Sequence, residues 1–301
     1  MPVPQPHEVL VQVRAASLNA ADWHVMRADP FIARLMCGIF KPKCQRLGAD
    51  VAGVVERVGS AVTRFKAGDE VFGSLAINAW GSYAEKVCAR EDLLVLKPAG
   101  ISFEEAAAVP LAAQTALQGL RDKVKLQPGD KLLINGASGG VGSFAVQIAK
   151  AMGAQVTAVC SSRNVEMVRR LGADHVIDYG LTDFTKEAER YDVIFAANGN
   201  TPLASYRKIL TPQGRYGGSG GSGKQMAEAM FLGPWYSEKN GRKFSWTDMR
   251  PKLADLESLK DLLEAGELKP EIDRHYPLER VPEAIAYLEE GHARGKVVIT
   301  V

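Results

Sequence analysis

Three glycines spaced by three, Gly136, Gly139 and Gly142, fall in the segment Asn135-Gly136-Ala137-Ser138-Gly139-Gly140-Val141-Gly142. Lys131 to Ile134 before them read as a short strand. After them Val141, Phe144, Ala145, Ile148 and Ala149 recur at the spacing of a helix packed on a sheet. At such a strand-to-helix turn, glycines keep side chains out of the way of an approaching pyrophosphate. The third lets helix and strand pack closely, and the free N–H groups of the helix end point at the anion. In this setting the pattern is a dinucleotide fingerprint and assigns Gly136, Ser138, Gly139, Gly140, Val141 and Gly142 to cofactor binding. The next strand, Gln155 to Val159, runs into Cys160-Ser161-Ser162-Arg163. An NADH site carries Asp or Glu about 20 residues beyond the fingerprint, on the ribose 2′-hydroxyl. Ser161, Ser162 and Arg163, 19 to 21 residues past Gly142, offer two hydroxyls and a guanidinium instead. Those groups suit a 2′-phosphate, so the expected cofactor is NADPH. Tyr179, at the end of a third strand, is placed to stack near the adenosine ribose. Asn198 after the fourth strand and Gly218 after the fifth stand at the carboxyl edge of the sheet, where a nicotinamide lies.

The elements that must hold these residues alternate in type. From Lys131 onward, strands at 131–134, 155–159, 175–177 and 192–195, and a fifth after a helix end within 209–216, are joined by helical stretches, which implies an α/β unit with a doubly wound parallel sheet. Before it, Glu8–Val13, Asp50–Val58, Glu70–Phe72, Ser82–Val87 and Leu93–Leu96 read as strands of a mostly β unit covering about the first hundred residues. Ser102-Phe103-Glu104-Glu105 is a capping box that opens a helix, which Pro110 interrupts or restarts ahead of Thr115 to Leu120. A glycine-serine loop follows at 217–223. Leucines at 253, 256, 259, 262 and 263 mark another helix, Pro282–Glu290 a further one, and Lys296–Val301 a final strand.

Composition narrows the class. A chain of 301 residues has room for about two domains of roughly 150 residues. Lys plus Arg exceed Asp plus Glu by 37 − 35 = 2, without a basic run, so nucleic acid is not an expected partner. No apolar run approaches the roughly 18 residues of a membrane span, and Met1-Pro2-Val3-Pro4-Gln5-Pro6-His7 has neither a basic start nor an apolar stretch, so no secretory signal is expected. Cys37, Cys44, Cys88 and Cys160 lie 7, 44 and 72 residues apart, a spacing of neither zinc sites nor a disulfide framework. They read as four reduced thiols, and the expected location is the cytoplasm.

Together these residues resemble the medium-chain dehydrogenase/reductase superfamily, in its zinc-free quinone oxidoreductase-like branch, over nearly the whole chain. Pro6-His7-Glu8-Val9-Leu10-Val11, Ser17-Leu18-Asn19-Ala20-Ala21-Asp22, Leu47-Gly48-Ala49-Asp50-Val51-Ala52-Gly53 and Phe65-Lys66-Ala67-Gly68-Asp69-Glu70-Val71-Phe72 resemble its GroES-like catalytic domain. The fingerprint and Leu171-Gly172-Ala173-Asp174-His175-Val176-Ile177-Asp178-Tyr179 are similar to its nucleotide domain. The tail Leu288–Val298 is similar to the segment that rejoins the catalytic domain. The resemblance implies a discontinuous, mostly β catalytic domain, 1–100 with 270–301, a Rossmann NADP-binding domain, 101–269, and a cofactor in the cleft. It also implies that the family's first hairpin is missing ahead of the opening strand, which would leave a sheet edge and apolar surface exposed.

Zinc-dependent members of the superfamily hold their metal with Cys, a His-Glu pair and a further Cys. At those places this chain has Asn19-Ala20-Ala21, Ala49-Asp50 and Leu111-Ala112-Ala113, so no catalytic zinc is expected. Without a Lewis acid the implied chemistry is hydride transfer from NADPH to a quinone or to the C=C bond of an enone or enal, where charge spreads into a hydroquinone or enolate. The resemblance places Asn19 in the substrate pocket, as a hydrogen-bond donor to the acceptor oxygen or as a loop-stabilising amide. Asp22 falls near the nicotinamide, or is a structural cap, and Thr115 stands where relatives contact the nicotinamide. His24 and Tyr83 are proton donors or, more in keeping with their residue types, packing residues, with solvent as the other proton source, and Trp235 lines the pocket or sits in the core. Lys243–Arg250 replaces a more apolar strand through which relatives pair two subunits, so a homodimer is a further expectation. Two other functions fit the same residues: a zinc-free alcohol or carbonyl oxidoreductase, and an NADPH-binding sensor or interaction protein without turnover.

Overall fold

The computed structural model describes residues 2–28, 46–76, 80–221, 225, 227–237 and 241–301. Two compact units emerge, Met1–Gln114 with Arg250–Val301, and Thr115–Met249. These boundaries differ from the expected 100/101 and 269/270. Two helices expected in the nucleotide unit pack on the β unit instead, Phe103–Ala108 on its strands and Leu253–Glu264 on Leu94–Leu96.

In the first unit, β1 (Glu8–Ser17) is apolar and buried along most of its length, with Val9, Val11 and Val13 in the core beside Val51, Val55, Val71 and Leu94. After α1 (Ala20–Arg27) come β2 (Asp50–Val58), β3 (Glu70–Ser74), β4 (Lys86–Arg90), β5 (Leu94–Leu96) and α2 (Phe103–Ala108). The expected strand Ser82–Val87 begins only at Lys86. Gly81 adopts φ +127°, and the N–H groups of Gly81 and Ser82 bond the Gly48 carbonyl, which takes this stretch out of the ladder. The Ser102 hydroxyl accepts the Glu105 N–H and the Glu105 carboxylate accepts the Ser102 N–H, as the capping box requires. Helix α3 (Pro110–Gln118) follows directly, so Pro110 starts a second segment rather than bending the first.

The second unit holds β6 (Lys131–Asn135), α4 (Gly140–Ala151), β7 (Gln155–Cys160), α5 (Val165–Arg170), β8 (His175–Asp178), β9 (Tyr191–Ala196), α6 (Leu203–Ile209), β10 (Leu210–Gly218), α7 (Gly233–Tyr236) and β11 (Lys243–Trp246). Its sheet has the order β11-β10-β9-β6-β7-β8, every pair parallel. The chain steps outward from β6 to β8, then returns to start β9 on the other side of β6. Nucleotides bind at the carboxyl ends of strands where the order reverses in this way. Leu133, Val159, Ile194, Leu203, Tyr206, Ile209 and Tyr216 form the core beneath that edge.

The chain then returns to the first unit as α8 (Leu253–Glu264), β12 (Ile272–Pro277), α9 (Val281–Glu289) and β13 (Lys296–Thr300). β13 lies between β1 and β12 in the sheet order β12-β13-β1-β2-β3-β5, with β4 also paired to β1. Ala16, Leu18, Ala284, Ile285, Val297 and Ile299 close the core there. No helix among the described residues is long and apolar enough to cross a membrane.

Candidate functional site

The glycine turn is built as the spacing requires, each glycine for a different reason. Gly136 has φ +78°, and a Cβ on it would lie 2.8 Å from the Asn198 nitrogen. A Cβ on Gly142 would lie 2.1 Å from the Gly136 carbonyl oxygen. Gly139 is different. It caps α4 with φ −83° and ψ 179°, and a Cβ there would meet only the Gly136 oxygen, at 3.6 Å. The Ser143 N–H makes the first helical bond, to Gly139, so helix geometry leaves Gly140, Val141 and Gly142 with no intrahelical acceptor. Open space in front of free N–H groups fits a pyrophosphate.

The other residues assigned to the cofactor converge in part. Asn164, on the turn before α5 and 4% exposed, donates to Ser138 Oγ at 2.8 Å and to Ser161 Oγ at 3.2 Å. It thereby ties the fingerprint turn to the end of β7. Sequence reasoning missed it, although an Asn at the start of a helix is a recognisable signal. Asn198 packs against Gly136, and the Ser219 N–H after β10 bonds the last carbonyl of β9, which brings the segments following both strands together. Ser162 and Arg163 are exposed beside Ser161, and Ser162 Oγ donates to Asp178. Tyr179 is 60% exposed, with its N–H on the Cys160 carbonyl. Gly218 ends β10, and Thr115 is buried on α3.

Asn19 and Asp22 belong to a buried polar cluster in the first unit. Asp50, at the start of β2, accepts from Ser17 Oγ at 3.0 Å, Asn19 Nδ2 at 2.9 Å and the Leu111 N–H at 3.0 Å. Lys296, at the start of β13 and 2% exposed, donates to the Leu18 carbonyl at 2.8 Å and Asn19 Oδ1 at 2.5 Å, with Asp50 Oδ2 at 3.7 Å. Burial pushes the Asp50 carboxyl up and the Lys296 amine down, and each partner's charge opposes the shift. Asp50 is surrounded by donors and Lys296 by acceptors, an arrangement that favours a carboxylate beside an ammonium. Asn19 has its Oδ1 on Lys296 and its Nδ2 on Asp50, with a longer 3.4 Å bond to the Ser17 carbonyl. Lys296 escaped the sequence reading, though a lysine opening an apolar strand is itself a signal.

Asp22 accepts the N–H groups of Asn19 at 2.8 Å and Gly48 at 3.0 Å, and is hydrogen-bonded with Tyr83. Burial pushes its pKa up to about 7, against those hydrogen bonds, and the Asp50 charge adds to the rise. Tyr83 is half-buried, and desolvation and the Asp22 charge hold its phenol well above the usual range, which makes it a reluctant acid. His24 stacks on Trp23 with ring centroids 3.7 Å apart. Trp235 is 89% exposed, so it is not a core residue of its unit.

A carboxyl whose pKa is higher folded than unfolded stabilises most at low pH and loses that contribution as pH rises through the folded value. Between pH 5.5 and 8.5 wild type is therefore expected to lose about 2 kcal/mol relative to Asp22→Asn, read from urea denaturation of both at the two pH values. A difference that stays constant across that window would show Asp22 already ionised.

No three of His, Cys, Asp and Glu come together to hold a metal among the described residues. At the places of zinc ligands in metal-dependent relatives, Asp50 is the one such donor, and its oxygens are already taken by Lys296, Asn19, Ser17 and Leu111. These residues do not fit a zinc ion. Cys88 and Cys160 are free thiols, half-buried and buried, while Cys37 and Cys44 lie outside the described residues.

Two family models match the chain, the alcohol dehydrogenase GroES-like domain over residues 5–99 and the zinc-binding dehydrogenase over 171–299. The chloroplast envelope quinone oxidoreductase homolog of Arabidopsis thaliana is 36% identical over 319 residues, covering 99% of this chain and 91% of the relative. The chloroplastic NADPH-dependent alkenal/one oxidoreductase of the same plant is 36% identical over 306 residues, with coverage of 97% and 72%. The solved quinone oxidoreductase of Coxiella burnetii superimposes with a TM-score of 0.88 at 31% identity, covering all of this chain and 92% of that one. The fold and site are those of a pyridine-nucleotide-dependent oxidoreductase. The chain belongs to the medium-chain dehydrogenase/reductase superfamily, in its quinone oxidoreductase-like branch.

Proposed function

We propose that this protein is an NADPH-dependent, zinc-independent reductase of quinones or of the C=C bond of α,β-unsaturated carbonyls. The observation that carries the reading is the Lys296–Asp50 ion pair, which occupies the donor that a metal would need. Saturated carbonyl reduction needs a Lewis acid or a ready proton donor to hold the alkoxide, and Tyr83 is a poor one, whereas a conjugated acceptor spreads the charge itself. The names of the Arabidopsis relatives point to the same acceptors. NADPH, when bound, supplies the hydride. Gly139 and the N–H groups of Gly140, Val141 and Gly142 would hold its pyrophosphate, and Ser161, Ser162 and Arg163 its 2′-phosphate. On the acceptor side Asn19 can release the 3.4 Å bond to Ser17 and keep the one to Asp50, freeing one N–H for the acceptor oxygen. Solvent is the better proton source, since Tyr83 holds its proton tightly. The same reading pairs two copies through β11, one of the two edge strands of the parallel sheet, and light scattering at micromolar concentration should then give twice the chain mass.

The test is NADPH oxidation by purified protein in EDTA, against quinones, enones, enals and saturated aldehydes, with NADH in parallel. Turnover of the conjugated acceptors with NADPH preferred is the expected result. Turnover confined to saturated aldehydes would instead make it a carbonyl reductase, and NADPH binding without turnover a sensor.

A further inference from the structure

The nucleotide unit carries a carboxylate that the fingerprint does not account for. Asp178 ends β8 in register with Cys160 at the end of β7, and so lies beside Ser161-Ser162-Arg163. The Ser162 hydroxyl donates to its Oδ2, and the Gly180 N–H donates to its Oδ1 at 2.9 Å. Its carbonyl takes the N–H groups of Leu181 and Thr182, which fixes the carboxylate at the strand end. Its charge is felt nearby: burial and Asp178 together push the Cys160 thiol up to about 11.

We propose that Asp178 is a specificity residue of the nucleotide site, weakening the hold on a 2′-phosphate and so narrowing the preference for NADPH over NADH. This rests on the reading of Ser161-Ser162-Arg163 as a 2′-phosphate subsite. A hydroxyl has one hydrogen to give. While Asp178 holds it, Ser162 faces a phosphate with lone pairs alone. If Ser162 turns to the phosphate, Oδ2 of the carboxylate loses its donor beside a like charge. A 2′-hydroxyl meets neither difficulty, because it can itself donate to Ser162 Oγ or to Asp178. Arg163 and Ser161 favour the phosphorylated ribose, and Asp178 works against them.

The experiment is calorimetric titration of the full chain with 2′,5′-ADP and with 5′-ADP, for wild type, Asp178→Asn and Arg163→Gln. In Asp178→Asn the amide keeps an oxygen for the Gly180 N–H and donates to Ser162 Oγ, so the serine hydrogen is freed toward the phosphate. The expected result is binding of 2′,5′-ADP tighter by on the order of ten-fold, with 5′-ADP changed less than about two-fold. Asp178→Ser, which also keeps an acceptor for Gly180, moves the ratio in the same direction and serves if the amide variant does not fold. An unchanged ratio, or weaker 2′,5′-ADP binding in a folded variant, overturns the proposal. The underlying reading fails separately, if wild type does not prefer 2′,5′-ADP and Arg163→Gln leaves its binding unchanged. A preference that arises only on removal of Asp178 would uphold the proposal while overturning the NADPH preference of wild type.

Discussion

Lys296→Met is expected to lower the melting temperature by about 10 °C, because removing one partner of a buried pair costs roughly 3–5 kcal/mol. The methionine fills nearly the same volume, so little of the loss comes from a cavity. What remains is a carboxylate at Asp50 with no counter-charge, and two acceptors, the Leu18 carbonyl and Asn19 Oδ1, with no donor. The charge part of that cost is recoverable. Adding Asp50→Asn to Lys296→Met removes the stranded charge, so the double variant should melt above the single one although it departs further from wild type. Calorimetric melts of the three proteins decide it. A Lys296→Met protein melting within about 2 °C of wild type would mean that the pair contributes nothing to the fold.

That ion pair also marks where sequence reasoning stops. The strand-turn-helix around Gly136, Gly139 and Gly142 was legible because its signals are local: an apolar strand, glycines at fixed intervals and a stripe at helical spacing, all within about 20 residues. The cluster in the first unit is not local. Lys296 lies 277 residues from Asn19, and Asp50 lies 31 residues from it, so only the return of β13 beside β1 brings them together. Asn19 was legible as a polar residue of the catalytic unit, but not the commitment of its amide to Asp50 and Lys296. Similarly, Ser162 was visible as a hydroxyl, while the carboxylate that holds it belongs to the neighbouring strand of a parallel pair. The compact units divide the chain elsewhere than the expected boundaries for a related reason. α2 and α8 have the pattern of helices that cover a sheet, and pattern alone does not say which sheet.

Gly139→Val is expected to weaken NADPH and NADH binding by on the order of 100-fold or more, while lowering the melting temperature by no more than about 5 °C, the cost of valine at a helix N-cap. The two halves of this expectation come from separate features of the residue. Its backbone, at φ −83° and ψ 179°, is in a region open to any amino acid, and a Cβ would rest at ordinary contact distance from a single oxygen. The fold therefore has no need of glycine at this position. The space in front of α4 does, because branched methyl groups there would stand where a pyrophosphate must approach the N–H groups of Gly140, Val141 and Gly142. Gly142→Ala is the contrasting variant. Its Cβ would fall 2.1 Å from the Gly136 carbonyl oxygen, so the loss should appear in stability before binding can be measured. Both variants keep every residue of the acceptor side, and fluorescence titration with each nucleotide beside a thermal melt separates them. If Gly139→Val binds NADPH as wild type does, the pyrophosphate is not held at this turn, and the glycine spacing serves only the packing of α4 on β6.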